Sequence, residues 1–223
     1  MRSTTSEATV SQPGPFLYNG PRDSRLTVVL AHGAGAPMDH PFLGVIAHGL
    51  GERGWRVARF EFPYMQNARG TGKRHGPNAA PVLLSHYAAV IDWLAERRGG
   101  ESKLVIGGKS MGGRIGSMLA DARGVGGLVC LGYPFHPPGK PERLRVGHLE
   151  RLQTPSLFVQ GERDTFGTRE EIGGYTLSEN IAFSWIPDGD HSLKPRKSSG
   201  TTNAENLQRA VEAVHGYLEG LVS

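Results

Sequence analysis

The segment VIGGKSMGGR, Val105–Arg114, combines the residue types of two different functional motifs. Its Gly-Lys-Ser run matches the end of a phosphate-binding P-loop, and its Gly-x-Ser-x-Gly pattern matches the turn that presents a nucleophilic serine. A P-loop needs another glycine five positions before Gly108, but Lys103 stands there, beside an apolar run. The dinucleotide-binding pattern also fails, because the segment GAGAPM, Gly33–Met38, lacks the third glycine. The sequence therefore disfavours a nucleotide site.

The serine motif has the surroundings that a nucleophile elbow requires. An elbow needs a strand, a sharp turn with the serine at its apex, and then a helix. Gly108 and Gly112 keep the two crowded positions around Ser110 free of side chains. Apolar residues then recur at helical spacing, at Ile115, Met118, Leu119 and Ala122. We predict that Ser110 is a nucleophile; the alternative is a glycine-rich helix that Ser110 only caps.

A serine nucleophile needs an adjacent base, which is itself oriented by an acid. In an elbow architecture the chain order is serine, then Asp or Glu, then histidine, on loops that follow later strands. Asp164 and Glu162 follow the apolar run Ser156–Gln160, and His191 follows Ala182–Ile186. We predict Asp164 as the orienting acid, with Glu162 as an open alternative, and His191 as the base.

The oxyanion of a tetrahedral intermediate requires preorganised backbone N–H donors. The N–H of Met111, directly after the nucleophile, is the first predicted donor. The N–H of Ala34 or Gly35, in the glycine-rich loop after the first predicted strand, is the second. His32 lies in that loop and is predicted to be a structural hydrogen-bonding residue rather than a base.

Several residues near the elbow could bind a substrate. Lys109 and Arg114 flank it in sequence, and they belong to a group of basic residues that could form a positive rim attracting anionic acyl substrates. The other members of that group are Lys73, Arg74, Lys194, Arg196 and Lys197. Tyr133 and Phe135 lie in a proline-rich segment and could either line an acyl pocket or brace the edge of the sheet.

Apolar runs that alternate with segments of helical period must position these residues. The predicted strands are Arg25–Ala31, Trp55–Phe62, Lys103–Gly107, Gly127–Tyr133, Ser156–Gln160 and Ala182–Ile186. The predicted helices are Pro41–Arg53, Pro81–Arg97, Met111–Asp121, Leu144–Arg151, Arg169–Leu177 and Thr202–Leu221. Pro63–Ala80 and Tyr133–Glu142 are predicted loops. The alternation predicts an α/β fold with a mainly parallel sheet of about six or more strands and helices on both faces.

Composition narrows the class of protein. The chain has 223 residues, of which 38% are hydrophobic and 21% charged, as in an ordinary globular domain. We predict a flexible tail over residues 1–15, a single domain over residues 16–223 and no separate cap domain. Neither a secretion signal nor a membrane-spanning run is visible, so a cytoplasmic location is expected.

The net charge and the positions of possible metal-binding residues argue against further classes of protein, such as nucleic-acid-binding proteins and metalloproteins. The formal net charge is +4 and the basic residues are dispersed, so nucleic acid is not expected as the main ligand. Cys130 is the single cysteine and excludes an internal disulfide bond. No His, Cys or Asp cluster has the spacing of metal ligands, so neither a metal nor a cofactor is expected.

The assembled motifs resemble a known family. The segments HGAGAPMDHPF, FEFPYM, GGKSMGGR, CLGYPFHPPGKPE, VQGERDTFGTREE and PDGDHSLKPRK are similar to the predicted α/β-hydrolase family of small bacterial proteins. That family is distantly similar to dienelactone hydrolases and has eukaryotic relatives in a chromatin acetyltransferase complex. The resemblance covers roughly Leu26 to Leu221. It implies the α/β-hydrolase fold and carries Ser110, Asp164 and His191 onto the positions of a catalytic triad.

The sequence thus predicts a serine hydrolase that cleaves a small carboxylic ester or thioester through an acyl-enzyme. Dienelactone hydrolases proper use cysteine as nucleophile, so their substrate does not transfer to this chain. Acyl transfer to an acceptor other than water is an open alternative. A non-catalytic interaction module with the same fold, as the complex-bound relatives suggest, is the alternative from another class.

Overall fold

The computed structural model describes residues 12–97 and 103–223, and a seven-stranded sheet forms its centre. The strands are β1 (Phe16–Asn19), β2 (Leu26–Ala31), β3 (Arg56–Phe60), β4 (Lys103–Lys109), β5 (Gly127–Leu131), β6 (Ser156–Gly161) and β7 (Ile181–Ile186). Their order across the sheet is β1-β3-β2-β4-β5-β6-β7. Residues 1–11, most of the predicted tail, lie outside the described residues.

Every neighbouring pair of strands is parallel except β1 and β3, which are antiparallel. The central strands are apolar along their whole length because both of their faces are covered; all six residues of β2 are buried. The helices are α1 (Pro41–Glu52), α2 (Pro63–Thr71), α3 (Ala80–Glu96), α4 (Met111–Ser117), α5 (Arg169–Ile172) and α6 (Asn203–Val222). The prediction of a mainly parallel sheet is confirmed.

Two apolar cores lie on opposite faces of the sheet. The first contains side chains of α3 and α4, and the second contains side chains of α1 and α6. Helix α6 begins at a capping box, in which Thr202 and Glu205 satisfy each other's backbone N–H groups. Its buried stripe of Leu207, Val211 and Val214 packs into the second core, as the spacing of these residues predicts.

Two of the predicted secondary-structure elements, a loop and a helix, were wrong. Pro63–Ala80 is not a loop throughout, because Pro63 begins helix α2, which ends where Gly72 adopts a left-handed conformation with φ 68°. The segment Leu144–Arg151 forms only a 3-10 turn at Leu149–Arg151. Its beginning is instead held to the preceding loop by a backbone bond from Arg145 N to Phe135 O of 2.7 Å.

Two further differences concern short elements. Strand β1 was missed because four residues at a sheet edge carry too little periodicity to be recognised. Helix α5 ends at Ile172 rather than continuing to Leu177, and the two glycines that follow lie in a turn. No connection within the described residues is long enough to hold a separate cap domain. Likewise, no helix in residues 12–97 or 103–223 is long and apolar enough to cross a membrane.

The parallel arrangement decides where chemistry can occur. The carboxyl ends of β2, β4, β6 and β7 all lie at the same edge of the sheet. The segments that leave them carry His32, Ser110, Asp164 and His191. Open α/β sheets bind their ligands at this edge.

Candidate active site

Ser110 lies at a sharp turn between β4 and α4. Its backbone has φ 51° and ψ −114°, a conformation that side-chain-bearing residues rarely adopt and that is typical of functional strain. A Cβ at Gly108 would lie 2.1 Å from the carbonyl oxygen of Ala31, and one at Gly112 would lie 2.5 Å from the same oxygen. The two glycines therefore let the turn pack directly on the end of β2, which lifts Ser110 to the edge of the sheet.

This close packing predicts a large stability effect for Gly112→Ala. The added methyl group would overlap the Ala31 backbone, so we expect the free energy of unfolding to fall by about 2–3 kcal/mol. Gly216 is the matched control, because it lies in α6 with nothing within 4 Å of its Cβ position. Gly216→Ala should raise the free energy of unfolding by about 1 kcal/mol. Urea denaturation measures both; equal stability of Gly112→Ala and wild type would contradict the packing argument.

Three side chains from distant loops meet at this turn. The Ser110 Oγ lies 2.9 Å from Nε2 of His191, and Nδ1 of His191 lies 2.8 Å from Oδ2 of Asp164. Asp164 is fully buried, so its carboxylate can act on the imidazole in an environment that water does not screen. The serine, imidazole and carboxylate thus form one continuous chain of hydrogen-bonding contacts.

The carboxylate of Asp164 is itself held by two donors. The side-chain amide of Gln160 donates to Oδ2 over 2.9 Å, and the backbone N–H of Phe166 donates to Oδ1 over 2.9 Å. Gln160 is buried and is fixed in turn by the backbone N–H of Tyr133, which donates to its Oε1 over 2.8 Å. These bonds hold the carboxylate with Oδ2 toward His191.

The other acidic residues near His191 have different partners. Glu162 pairs with Arg169 at 3.0 Å and accepts a bond from the backbone N–H of Asp188. Asp188 pairs with Arg163 and with Arg196. Asp190 accepts bonds from the backbone N–H groups of residues 192 and 194, and so shapes the histidine loop. The geometry therefore places Asp164, and not Glu162, against the imidazole.

Two residues fix the imidazole and its backbone. The ring of Phe166 stacks on that of His191, with centroids 4.0 Å apart. The Lys109 ammonium donates to the backbone oxygen of His191 over 2.6 Å. Burial lowers the pKa of Lys109 to about 8. Gly132 makes room for this contact, because a Cβ there would lie 2.8 Å from the Lys109 Nζ.

The residues whose backbone N–H groups were predicted as oxyanion donors lie beside Ser110. Met111 is the first residue of α4, where a backbone N–H has no acceptor within its own helix. Residues 32–40, which we call the β2 loop, approach from the other side; a Cβ on Gly33 would lie 3.8 Å from that of Ser110. Ala34 and Gly35 are exposed on this loop.

A cavity of about 630 Å³ opens beside Ser110, between the first turns of α1 and α6. Its walls include apolar side chains from both helices and from the Asp164 loop: Phe42, Val45, Phe166 and Leu207. Ser110, His191, Ala34 and Gly35 line the same cavity, as do Lys109 and Lys194. The cavity therefore brings Ser110 and His191 together with an apolar wall and two cations.

Three predicted substrate-binding residues do not reach this cavity. Tyr133 and Phe135 are fully buried in the first apolar core, where the Tyr133 hydroxyl donates to the backbone oxygen of Arg145. Of the two roles that the sequence left open for them, this burial supports bracing of the sheet rather than lining of an acyl pocket. Arg114 is not among the described residues that line the cavity. It lies instead near His148, whose pKa is lowered by burial and by the Arg114 charge.

Some residues of the site had not been predicted. Gln160 and Phe166 contact the acid and the histidine, and Tyr64 contacts the β2 loop through its hydroxyl group. A glutamine at the end of an otherwise apolar strand was a visible signal for a buried polar contact. Nothing in the sequence connected Tyr64 to the β2 loop. Within residues 12–97 and 103–223, no cluster of three His, Cys, Asp or Glu residues could hold a metal ion.

The fold and the site geometry together define the class of protein. A family model described as an alpha/beta hydrolase domain matches residues 24–219, and the chain belongs to this family. This result confirms the resemblance to small bacterial α/β hydrolases that the sequence motifs indicated.

Solved structures share the fold over most of their length. A dienelactone hydrolase from Anabaena variabilis is 19% identical, with a TM-score of 0.71 over 92% of this chain and 90% of that one. An α/β serine hydrolase without lid from Xanthomonas campestris is 19% identical, with a TM-score of 0.69 over 92% and 87%. Est1E from Butyrivibrio proteoclasticus is 15% identical, with a TM-score of 0.69 over 93% of both chains. At these identities the likeness concerns the fold.

Proposed function

We propose that this protein is a serine hydrolase that cleaves carboxylic esters or thioesters through an acyl-enzyme. The observation that carries the proposal is the chain of contacts from Ser110 Oγ through His191 to the buried Asp164. A serine hydroxyl is a weak nucleophile at neutral pH, and a hydrogen-bonded imidazole is the group that activates it. The strained turn at Ser110 supports the same role.

Acylation follows from this arrangement. Ser110 Oγ attacks the carbonyl carbon while its proton passes to Nε2 of His191, and the carbonyl electron pair moves onto oxygen. The N–H groups of Met111 and of Ala34 or Gly35 stabilise that oxyanion. The intermediate then expels the alkoxide or thiolate, which receives the proton from His191. The Asp164 carboxylate keeps the imidazole in the required tautomer and stabilises its charged form.

Deacylation repeats these steps with water. His191 accepts a proton from the water that attacks the acyl-enzyme, and it returns the proton to Ser110 Oγ as the acid leaves. The apolar wall of Phe42, Val45 and Leu207 would hold an apolar part of the substrate beside Ser110.

A fluorophosphonate probe tests the nucleophile directly. We expect wild-type protein to be labelled and Ser110→Ala to remain unlabelled. Ser192 lines the same cavity and provides the matched control, so Ser192→Ala should be labelled like the wild type. Absence of labelling in the folded wild type would contradict the proposal and would favour the non-catalytic interaction module.

The two lysines of the cavity wall predict a preference for anionic esters. We expect the kcat/KM of a carboxylate-bearing ester to exceed that of its neutral analogue at low ionic strength. Lys194→Gln should reduce this preference by about threefold to tenfold, and added salt should reduce it further. Steady-state kinetics on the matched pair of esters measures both effects.

Arg22→Gln is the control for charge alone. Arg22 is exposed and precedes β2, at the opposite edge of the sheet from Ser110. The substitution removes the same formal charge as Lys194→Gln but at a position far from the cavity. It should therefore leave the ratio of the rates for the anionic and neutral esters unchanged. Equal rates for the anionic and neutral esters at low salt would rule out an electrostatic contribution of the cavity lysines.

A further inference from the structure

The hydroxyl group of Tyr64 reaches the backbone of the β2 loop. Tyr64 is the second residue of α2 and is almost completely buried. Its hydroxyl donates to the carbonyl oxygen of Ala34 over 2.9 Å and lies 3.3 Å from that of Gly33. Its ring packs against that of His32, with centroids 5.6 Å apart. Helix α2 thus holds the part of the loop that lies closest to Ser110.

His32 holds the same loop from the strand side. Its Nε2 accepts a bond from the backbone N–H of Phe62 over 3.1 Å, so its Nδ1 must carry the proton in the neutral ring. That Nδ1 donates to the carbonyl oxygen of Gly33 over 2.7 Å. Burial lowers the pKa of His32 and so favours this neutral form. The carbonyl groups of two consecutive residues are therefore both fixed toward the protein interior.

In a trans peptide unit the N–H points away from the C=O. The fixed carbonyl groups of Gly33 and Ala34 consequently turn the N–H groups of Ala34 and Gly35 away from the interior. Both of these residues line the cavity beside Ser110. We propose that Tyr64 is a positioning residue that sets the orientation of these oxyanion donors. This inference rests on the proposed function, because the donors matter only if an oxyanion forms.

Helix α2 also holds the far end of the β2 loop. Glu61, two residues before the first residue of the helix, accepts a bond from the backbone N–H of Met38 over 3.2 Å. Arg69 pairs with Glu61 at 2.6 Å and with Asp39 at 3.0 Å. The loop is thus attached to this helix at both ends, and Tyr64 makes the attachment nearest the reaction. Its role therefore goes beyond filling a core position.

Tyr64→Phe removes the hydroxyl and keeps the buried ring, so it tests the contact selectively. We expect kcat to fall by about 10-fold to 100-fold with little change in KM, because oxyanion donors act mainly in the transition state. Phenylboronic acid provides a second readout, since it forms a tetrahedral adduct with an activated serine. Its Kd, measured by calorimetry, should rise by a similar factor of about 10 to 100.

Two further variants accompany this measurement. Tyr217→Phe removes a hydroxyl that donates to the backbone oxygen of Pro155, away from the site, and should leave kcat and the boronate Kd unchanged. Asn78→Ala removes the side-chain oxygen that accepts the backbone N–H of Tyr64. Because this bond holds Tyr64 in place, Asn78→Ala should lower kcat and raise the boronate Kd, as Tyr64→Phe does. It serves as the test if Tyr64→Phe does not fold.

The outcomes distinguish a failure of the proposed function from a failure of the positioning role of Tyr64. If the wild type forms no tetrahedral boronate on Ser110, as monitored by ¹¹B NMR, the proposed function itself fails and the role of Tyr64 fails with it. If the wild type forms the adduct and folded Tyr64→Phe binds the boronate equally well, only the positioning role is overturned. A fall in kcat without a change in the boronate Kd would also overturn it, because that result indicates a purely structural contribution.

Discussion

Replacing Ser110 with alanine is expected to lower kcat for ester hydrolysis by about 10⁶-fold. The variant lacks the oxygen that is proposed to form the acyl-enzyme, and neither His191 nor Asp164 can replace it as nucleophile. The remaining backbone donors and the cavity would still bind substrate, so KM should change little. A chromogenic ester assay with the folded variant measures the loss.

Ser117 provides a demanding control for this prediction. Its Oγ lies 2.8 Å from Nε2 of His148, which reproduces the serine–imidazole contact of the proposed site. However, Ser117 is buried within α4 and does not line the cavity beside Ser110. Ser117→Ala should therefore retain kcat within about threefold of the wild type, as expected for a residue outside the reacting groups. A large loss in Ser117→Ala together with an active Ser110→Ala would mean that the wrong serine had been assigned.

Much of the sheet could be predicted because its central strands are buried on both faces. Such strands are nearly continuous apolar runs, and β2, β4, β5 and β6 are visible for that reason. The meeting of Ser110, Asp164 and His191 at one edge of the sheet could be predicted from the same pattern. Each of them follows a strand, and parallel strands bring their carboxyl ends to one edge.

Contacts between side chains that are distant in sequence could not be predicted in this way. Tyr133 and Phe135 follow a strand just as the candidate site residues do, yet they turn inward into the first core. Whether an aromatic residue at a strand end faces a cavity or a core depends on the helices packed around it. That information lies in tertiary packing rather than in local spacing.

The role of α2 escaped prediction for a related reason. The segment that follows β3 is rich in polar residues and glycine, a composition typical of loops. Half of it becomes helical because Pro63 begins the helix and tertiary contacts hold it: Tyr64 bonds to the β2 loop, and Arg69 pairs with the buried Glu61. Helix α2 and the β2 loop, which look unrelated in sequence, thus form one unit beside Ser110.

Replacing Asp164 with asparagine is expected to lower kcat by about 10⁴-fold at neutral pH. An asparagine amide can donate to Nδ1 of His191, and the ring proton would then move to Nε2. Nε2 could no longer accept the proton of Ser110, so the serine would lose its base. The amide nitrogen would take the place of Oδ2 and face the Gln160 side-chain amide, which should cost about 1–3 kcal/mol of stability. The amide oxygen would still accept the Phe166 N–H. Ester kinetics and urea denaturation measure the two effects.

Glu162→Gln is the matched control, because it neutralises the other acid of the same loop. Glu162 contacts Arg169 and the backbone N–H of Asp188 rather than His191. Its neutralisation should therefore change kcat by less than about threefold, as expected for a surface ion pair. If Glu162→Gln lost the larger activity and Asp164→Asn remained active, Glu162 would be the residue that orients the imidazole in solution.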